Sequence, residues 1–148
     1  MLGLAERVLA IHRAFVGAAV PHAFGGAIAY AYHAAPRATR DIDINVFVPQ
    51  GDASGALRVL GDIGVTVDVD GDAERVNRDA QVRLRWGPVP IDLFFSALDF
   101  HDECRRRTRV VPFGDTEIPI LSAEDLAVCL TGRYREENSI GWPGTCLV

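Results

Sequence analysis

Phe24-Gly25-Gly26-Ala27-Ile28-Ala29-Tyr30-Ala31-Tyr32-His33 and Arg37-Ala38-Thr39-Arg40-Asp41-Ile42-Asp43-Ile44-Asn45-Val46-Phe47 flank Ala34-Ala35-Pro36 and decide how this chain is read. The second segment alternates. Asp41 and Asp43 stand two apart, interleaved with Ile42, Ile44 and Val46. On a strand, residues i and i+2 share a face, so two carboxylates project together while branched apolar side chains pack beneath. Two like charges about 4 Å apart repel by about 4 kcal/mol at an effective dielectric near 20. A divalent cation between them removes that cost, and Mg²⁺ takes oxygen ligands of this kind. The competing reading is a pair of solvated carboxylates on the edge of a half-buried strand.

The first segment weighs toward the cation. Gly25-Gly26 follows the short apolar run Val20 to Phe24 and precedes an Ala-rich stretch, which predicts strand, tight turn, helix. Paired glycines let backbone amides approach a ligand closely, and a helix N-terminus favours phosphate. Pro36 stops this helix. A phosphate cradle is thereby set beside a pair of carboxylates.

Phe24-Gly25-Gly26, a spacer, then Arg37-x-Thr39-x-Asp41-Ile42-Asp43 resembles the signature of the nucleotidyltransferase superfamily. The Arg-x-Thr-x-Asp-Ile-Asp form looks most like small prokaryotic members that include abortive-infection (AbiEii-like) toxins. The spacer is slightly longer than the usual pattern. The resemblance runs from about Val20 to Leu130. It implies an α/β fold, a mixed sheet flanked by helices of the polymerase-β-like kind, with the strands of Phe24, Asp41/Asp43 and Asp92 as neighbours. Asp92, within Val89-Pro90-Ile91-Asp92-Leu93-Phe94-Phe95, fits the place of the family's third carboxylate. The resemblance further implies transfer of an NMP group from an NTP to a hydroxyl of RNA or protein, with one or two Mg²⁺ ions. Asp41, Asp43 and Asp92 would be the catalytic and metal-holding residues, and Gly25, Gly26, Arg37 and Thr39 would bind the nucleotide. Arg37 meets a phosphate or else neutralises the Asp pair. A toxin–antitoxin role with a cognate antitoxin and a homodimeric state belong to the same expectation. Three alternatives stand beside it: a small-molecule, aminoglycoside-type acceptor, an inactive protein that keeps the fold as a binding partner, and a structural or interaction protein whose D-x-D is solvated.

Asp92 also demands attention by itself. A carboxylate in an otherwise apolar strand is costly without a partner, so either an Arg pairs with it or it completes a metal site. The D-x-D upstream favours the metal site.

The 148 residues suit one domain with a sizeable core, spanning 1–148 with 138–148 as a divergent tail. A formal charge of −5 argues against a protein that coats nucleic acid nonspecifically. All 15 basic residues are Arg, so any phosphate-binding Lys of a relative is replaced here. Cys104, Cys129 and Cys146 form no C-x-x-C pair, which favours reduced thiols in a cytoplasm. No apolar run reaches the roughly 20 residues that span a bilayer, and no signal peptide is visible.

Along the rest of the chain, Leu2 to Val16 reads as a helix with His12 and Arg13 on its solvated side, and His22 as a surface or strand-edge residue. Asp52 or Ser54 caps a helix through Leu60. Val65 to Val69 reads as a strand, with Asp68, Asp70 and Asp72 as solvated carboxylates; no Glu at the twelfth position supports a calcium loop. Gln81 to Trp86 and Val89 to Phe95 form a hairpin around Gly87-Pro88, and Val110 to Phe113 and Glu117 to Ile120 a second. Arg105 to Arg109 is the one concentrated basic run, a solvated face or a phosphate contact. Ser122 begins a helix with acidic first-turn residues. Beyond Leu130 the chain departs from the family's helical continuation.

Overall fold

The computed structural model describes residues 2–34 and 40–131. Helix α1 (Leu4–Gly17) leads into β1 (His22–Phe24), α2 (Gly26–His33) and β2 (Ile42–Pro49). A 3-10 turn (Gln50–Asp52) precedes α3 (Ser54–Asp62) and α4 (Val69–Asp79). The hairpin β3 (Gln81–Trp86) and β4 (Val89–Ser96) follows, then α5 (Asp99–Arg107), the hairpin β5 (Arg109–Phe113) and β6 (Thr116–Ile120), and α6 (Ala123–Thr131).

The six strands form one mixed sheet in the order β3-β4-β2-β1-β6-β5. β2 lies parallel to β4 and antiparallel to β1, and β1 lies parallel to β6. The alternation in β2 sorts its side chains. Ile42, Ile44 and Val46 are fully buried in the larger core with Val8, Ile11 and Phe15 of α1 and Leu57 and Leu60 of α3. On the other face Phe47 joins Ala23 and Phe94 against Cys104 of α5 and Cys129 of α6. The central strands are thus largely apolar on both faces, interrupted by the buried polar residues His22, Asp43, Asn45 and Asp92.

Several local expectations change in three dimensions. Val65 to Val69 is not a strand. Gly64 turns the chain at φ +111°, Thr66 makes a single bridge to Arg85, and Val69 already opens α4. Asp70 and Asp72 therefore sit in a helical first turn, where negative charge is favoured. Asp72 is buried, accepting from the Asp68 amide at 2.9 Å and from Arg75 at 2.7 Å. Neither Asp52 nor Ser54 caps α3: the 3-10 turn runs into it through Ala53, and Ser54 is already helical. Ser122 does cap α6, its Oγ accepting from the Asp125 amide at 3.2 Å and donating to Asp125 Oδ2 at 3.0 Å. Arg107 grips the same carboxylate at 2.6 and 3.1 Å, so the basic run is partly spent inside the fold. Removing the buried Asp125 leaves the buried Ser122 hydroxyl without its carboxylate partner, while the part-exposed Arg107 keeps Glu103 at 3.6 Å. Asp125→Ala is expected to lower the unfolding free energy by about 2 kcal/mol, read from urea unfolding.

His22 is buried rather than at a surface edge. β1 lies inside the sheet, and the His22 ring packs against Phe15 and Phe24 at 5.1 and 5.9 Å between centroids. Its Nδ1 donates to the Val20 carbonyl, and its Nε2 lies 2.9 Å from His12 Nδ1, which turns His12 toward it as well. Burial pushes His22 down to about 4. His101 is likewise pushed down to about 4 by burial, while its Nδ1 accepts from the amides of Ala97 and Leu98 at 3.0 and 3.1 Å. Both rings are neutral in the fold and would charge on unfolding. Their folded values lie below the ordinary value of 6.5, so the unfolded chain binds more protons between them. Stability therefore falls as pH drops from about 6.5 to 4, by up to about 3 kcal/mol per ring. Thermal melts across that range in wild type, His22→Phe and His101→Gln check this, each variant flattening the slope.

Candidate functional site

Antiparallel pairing places the C-terminal end of β1 beside the start of β2. The two glycines follow β1, and Asp43 is the second residue of β2, so turn and carboxylate meet. The Gly25 amide donates to the Asp43 carbonyl at 2.8 Å. Gly26 adopts φ +54°, and a Cβ added there would stand 1.9 Å from Asp43 Oδ2. Only a residue without a side chain leaves room for this carboxylate. Gly25 is the N-cap of α2 and supplies no side-chain cap. The first-turn amides, which have no partner within a helix, open beside Asp43.

Parallel pairing of β2 with β4 puts Asp92 directly opposite Asp43, so the two carboxyl groups project from one face. They are 4 % and 7 % exposed. Burial first, then the Asp92 charge and a hydrogen bond to Asp92, push Asp43 up to about 8. Asp41, one residue before β2, stands at the rim and is half-buried.

Arg83 completes the group, and sequence reasoning missed it. It lies opposite Asp92 on β3. Its Nε donates to Asp92 Oδ1 at 2.7 Å and its Nη2 to Asp92 Oδ2 at 2.8 Å. The same Nη2 reaches Asp41 Oδ2 at 3.5 Å. Of the two partners weighed for Asp92, an arginine is therefore the one in place. The signal was present: the two-residue turn Gly87-Pro88 pairs Trp86 with Val89, and counting back pairs Arg83 with Asp92.

Asp41, Asp43, Asp92, Gly25 and Gly26 are thus brought together, while Arg37 and Thr39 lie outside the described residues. Among the described residues no three His, Cys, Asp or Glu side chains stand close enough to form a metal site as they are. The donor chemistry nevertheless fits a hard divalent cation. Two buried carboxyl groups are pressed together, and burial first, then repulsion from Asp92, keeps a proton on Asp43 that a cation would displace. Arg83 holds both oxygens of one of them.

Clefts among the described residues adjoin the sheet. One of about 500 Å³ borders Arg83 and is lined by Thr66, Asp68, Asp72 and Arg85. Another, of about 550 Å³, lies at the far end of β1 from Gly26, between His12, Phe47 and Arg105. Arg105 from the basic run faces that second cleft and not the carboxylates.

No helix among the described residues is long and apolar enough to cross a membrane. No protein-family model matches the chain, and no curated protein sequence matches it. Solved structures do. TM1012 from Thermotoga maritima, a candidate nucleotidyltransferase, superposes with a TM-score of 0.60 at 17% identity, covering 90% of this chain and 88% of that one. The antibiotic-resistance factor ANT(2'')-Ia in solution gives 0.60 at 14% identity, covering 97% and 80%. Its crystal structure in complex with adenylyl-2''-tobramycin gives 0.58 at 15%, covering 90% and 77%. The six-stranded mixed sheet and its helices are those of the nucleotidyltransferase fold.

Proposed function

We propose that this chain transfers a nucleoside monophosphate from an NTP to a hydroxyl group of an RNA or protein, the α–β phosphoanhydride bond breaking and pyrophosphate leaving. The observation that carries this reading is Asp43 opposite Asp92 on parallel strands, with Gly26 directly against the Asp43 carboxylate. Mg²⁺ held by Asp43 and Asp92, with Asp41 at the rim, would neutralise triphosphate oxygens and lower the pKa of the acceptor hydroxyl. The chain's own groups do the rest. The amides of the Gly25-Gly26 turn and the uncapped start of α2 orient the phosphates and offset their charge. Asp92, or Asp43 once it has lost its proton, receives the proton of the attacking hydroxyl. Arg37 and Thr39 are proposed nucleotide contacts on the strength of the motif. A cognate antitoxin and a homodimer remain proposals of the same motif.

A small-molecule acceptor is a second reading. ANT(2'')-Ia, solved with an adenylylated aminoglycoside, covers 97% of this chain in its solution form. The test offers each α-³²P-labelled NTP with Mg²⁺ to tRNA, to cell protein and to tobramycin. Transfer by wild type is expected to fall at least about 10³-fold in Asp92→Asn. Label on tobramycin alone would select the second reading. Equal labelling by wild type and variant would remove the carboxylates from the mechanism.

A further inference from the structure

The arginine on the edge strand has two sets of carboxylates within its surroundings. On one side Arg83 grips Asp92 with two hydrogen bonds of 2.7 and 2.8 Å and touches Asp41 at 3.5 Å. On the other it lines the cleft of about 500 Å³ that also contains Asp68 and Asp72. Its side chain is 54 % exposed, so leaving Asp92 uncovers no buried cation, and solvent screens the change. The backbone of β3 is fixed by its ladder to β4, so only the side chain needs to turn.

We propose that Arg83 is the resident counter-cation of the carboxylate site. It holds Asp92 and Asp41 while no divalent cation is bound, and swings into the neighbouring cleft toward Asp68 when one binds. The inference rests on the reading of Asp43 and Asp92 as a cation site. A guanidinium occupying both oxygens of Asp92 and a divalent cation on the same carboxylate repel one another, so the two compete. Competition makes Arg83 a positioning residue. It keeps a buried acidic pair compatible with the fold when empty, and it raises the cation concentration needed to fill the site. Asp68 then acts at a distance by receiving the displaced arginine.

The experiment measures Mn²⁺ binding by the electron-spin resonance of free Mn²⁺, in wild type, Arg83→Gln, Asp68→Asn, the double variant and Asp43→Asn. Arg83→Gln is expected to bind Mn²⁺ about tenfold tighter. Asp68→Asn is expected to weaken binding in wild type and to have no effect once Arg83 is replaced. In parallel, the Arg83 Nε–H resonance should shift on Mg²⁺ addition in wild type and shift less in Asp68→Asn. A purely structural arginine would give unchanged or weaker binding in Arg83→Gln and an unmoved resonance, and that overturns the proposal. If Asp43→Asn binds Mn²⁺ as wild type does, the cation-site reading itself fails. If Asp43→Asn loses binding while Arg83→Gln matches wild type, only the role of Arg83 fails. No binding by either wild type or Arg83→Gln overturns both, and binding by Arg83→Gln alone supports the competition.

Discussion

Gly26→Ala is expected to destabilise the fold by about 3 kcal/mol and to abolish any transfer activity. Two costs add. A non-glycine residue at φ +54° sits in the left-handed region, at about 1 kcal/mol. The new methyl carbon would also lie 1.9 Å from Asp43 Oδ2 and 2.8 Å from its Cγ. One of the two must move, and overpacking of this kind costs about 2 kcal/mol. Asp43 has little freedom, being buried between the glycine turn and Asp92. Urea unfolding of the single variant and of Gly26→Ala/Asp43→Ala separates the two costs. The double variant should recover the steric part and keep the backbone part. Gly25→Ala is a milder control: its Cβ would meet Asn45 Nδ2 and Leu121 Cδ1 at 3.3 Å, at an ordinary φ of −119°. Wild-type unfolding of Gly26→Ala would mean that the turn and Asp43 are not in contact.

The second large effect has opposite signs for stability and activity. Asp43→Asn should raise stability above neutral pH by about 1–2 kcal/mol while reducing transfer at least about 10³-fold. The folded Asp43 is pushed up to about 8, from 3.8 in the unfolded chain, by burial and by Asp92. Between those values the folded state binds the extra proton, so wild-type stability declines as pH rises through that window. Asparagine has no charge to lose and escapes the decline. His22 and His101 act the other way below about 6.5. Two rings outweigh one carboxyl there, so wild-type stability should peak near pH 6.5, and the alkaline fall should vanish in Asp43→Asn. Thermal melts from pH 4 to 9 in a chelating buffer read both limbs. An alkaline limb that is unchanged in the variant would contradict the account of the carboxyl pair.

Short-range features were legible before any coordinates. Asp43 among Ile42, Ile44 and Val46 announces a strand with an interrupted polar face, because side-chain direction has a period of two. Gly25-Gly26 announces a turn, and Gly87-Pro88 announces a hairpin, because these depend on neighbours in the chain. The readings that failed depended on what lay across the fold. His22 looked peripheral, but β1 is enclosed by β2 and β6. Val65 to Val69 has strand composition, yet Gly64 diverts it before it can pair.

The amino-acid order alone determined that a glycine bend precedes a strand carrying carboxylates, and that another carboxylate sits in a hairpin further on. Such patterns are set by backbone sterics and side-chain periodicity over a few residues. Only the tertiary structure decided that β4 lies parallel to β2 in register, which sets Asp92 against Asp43, and that Arg83 holds the pair. Adjacency between strands far apart in the chain comes from burying both faces of one sheet at once, and no local pattern encodes which strand becomes the neighbour.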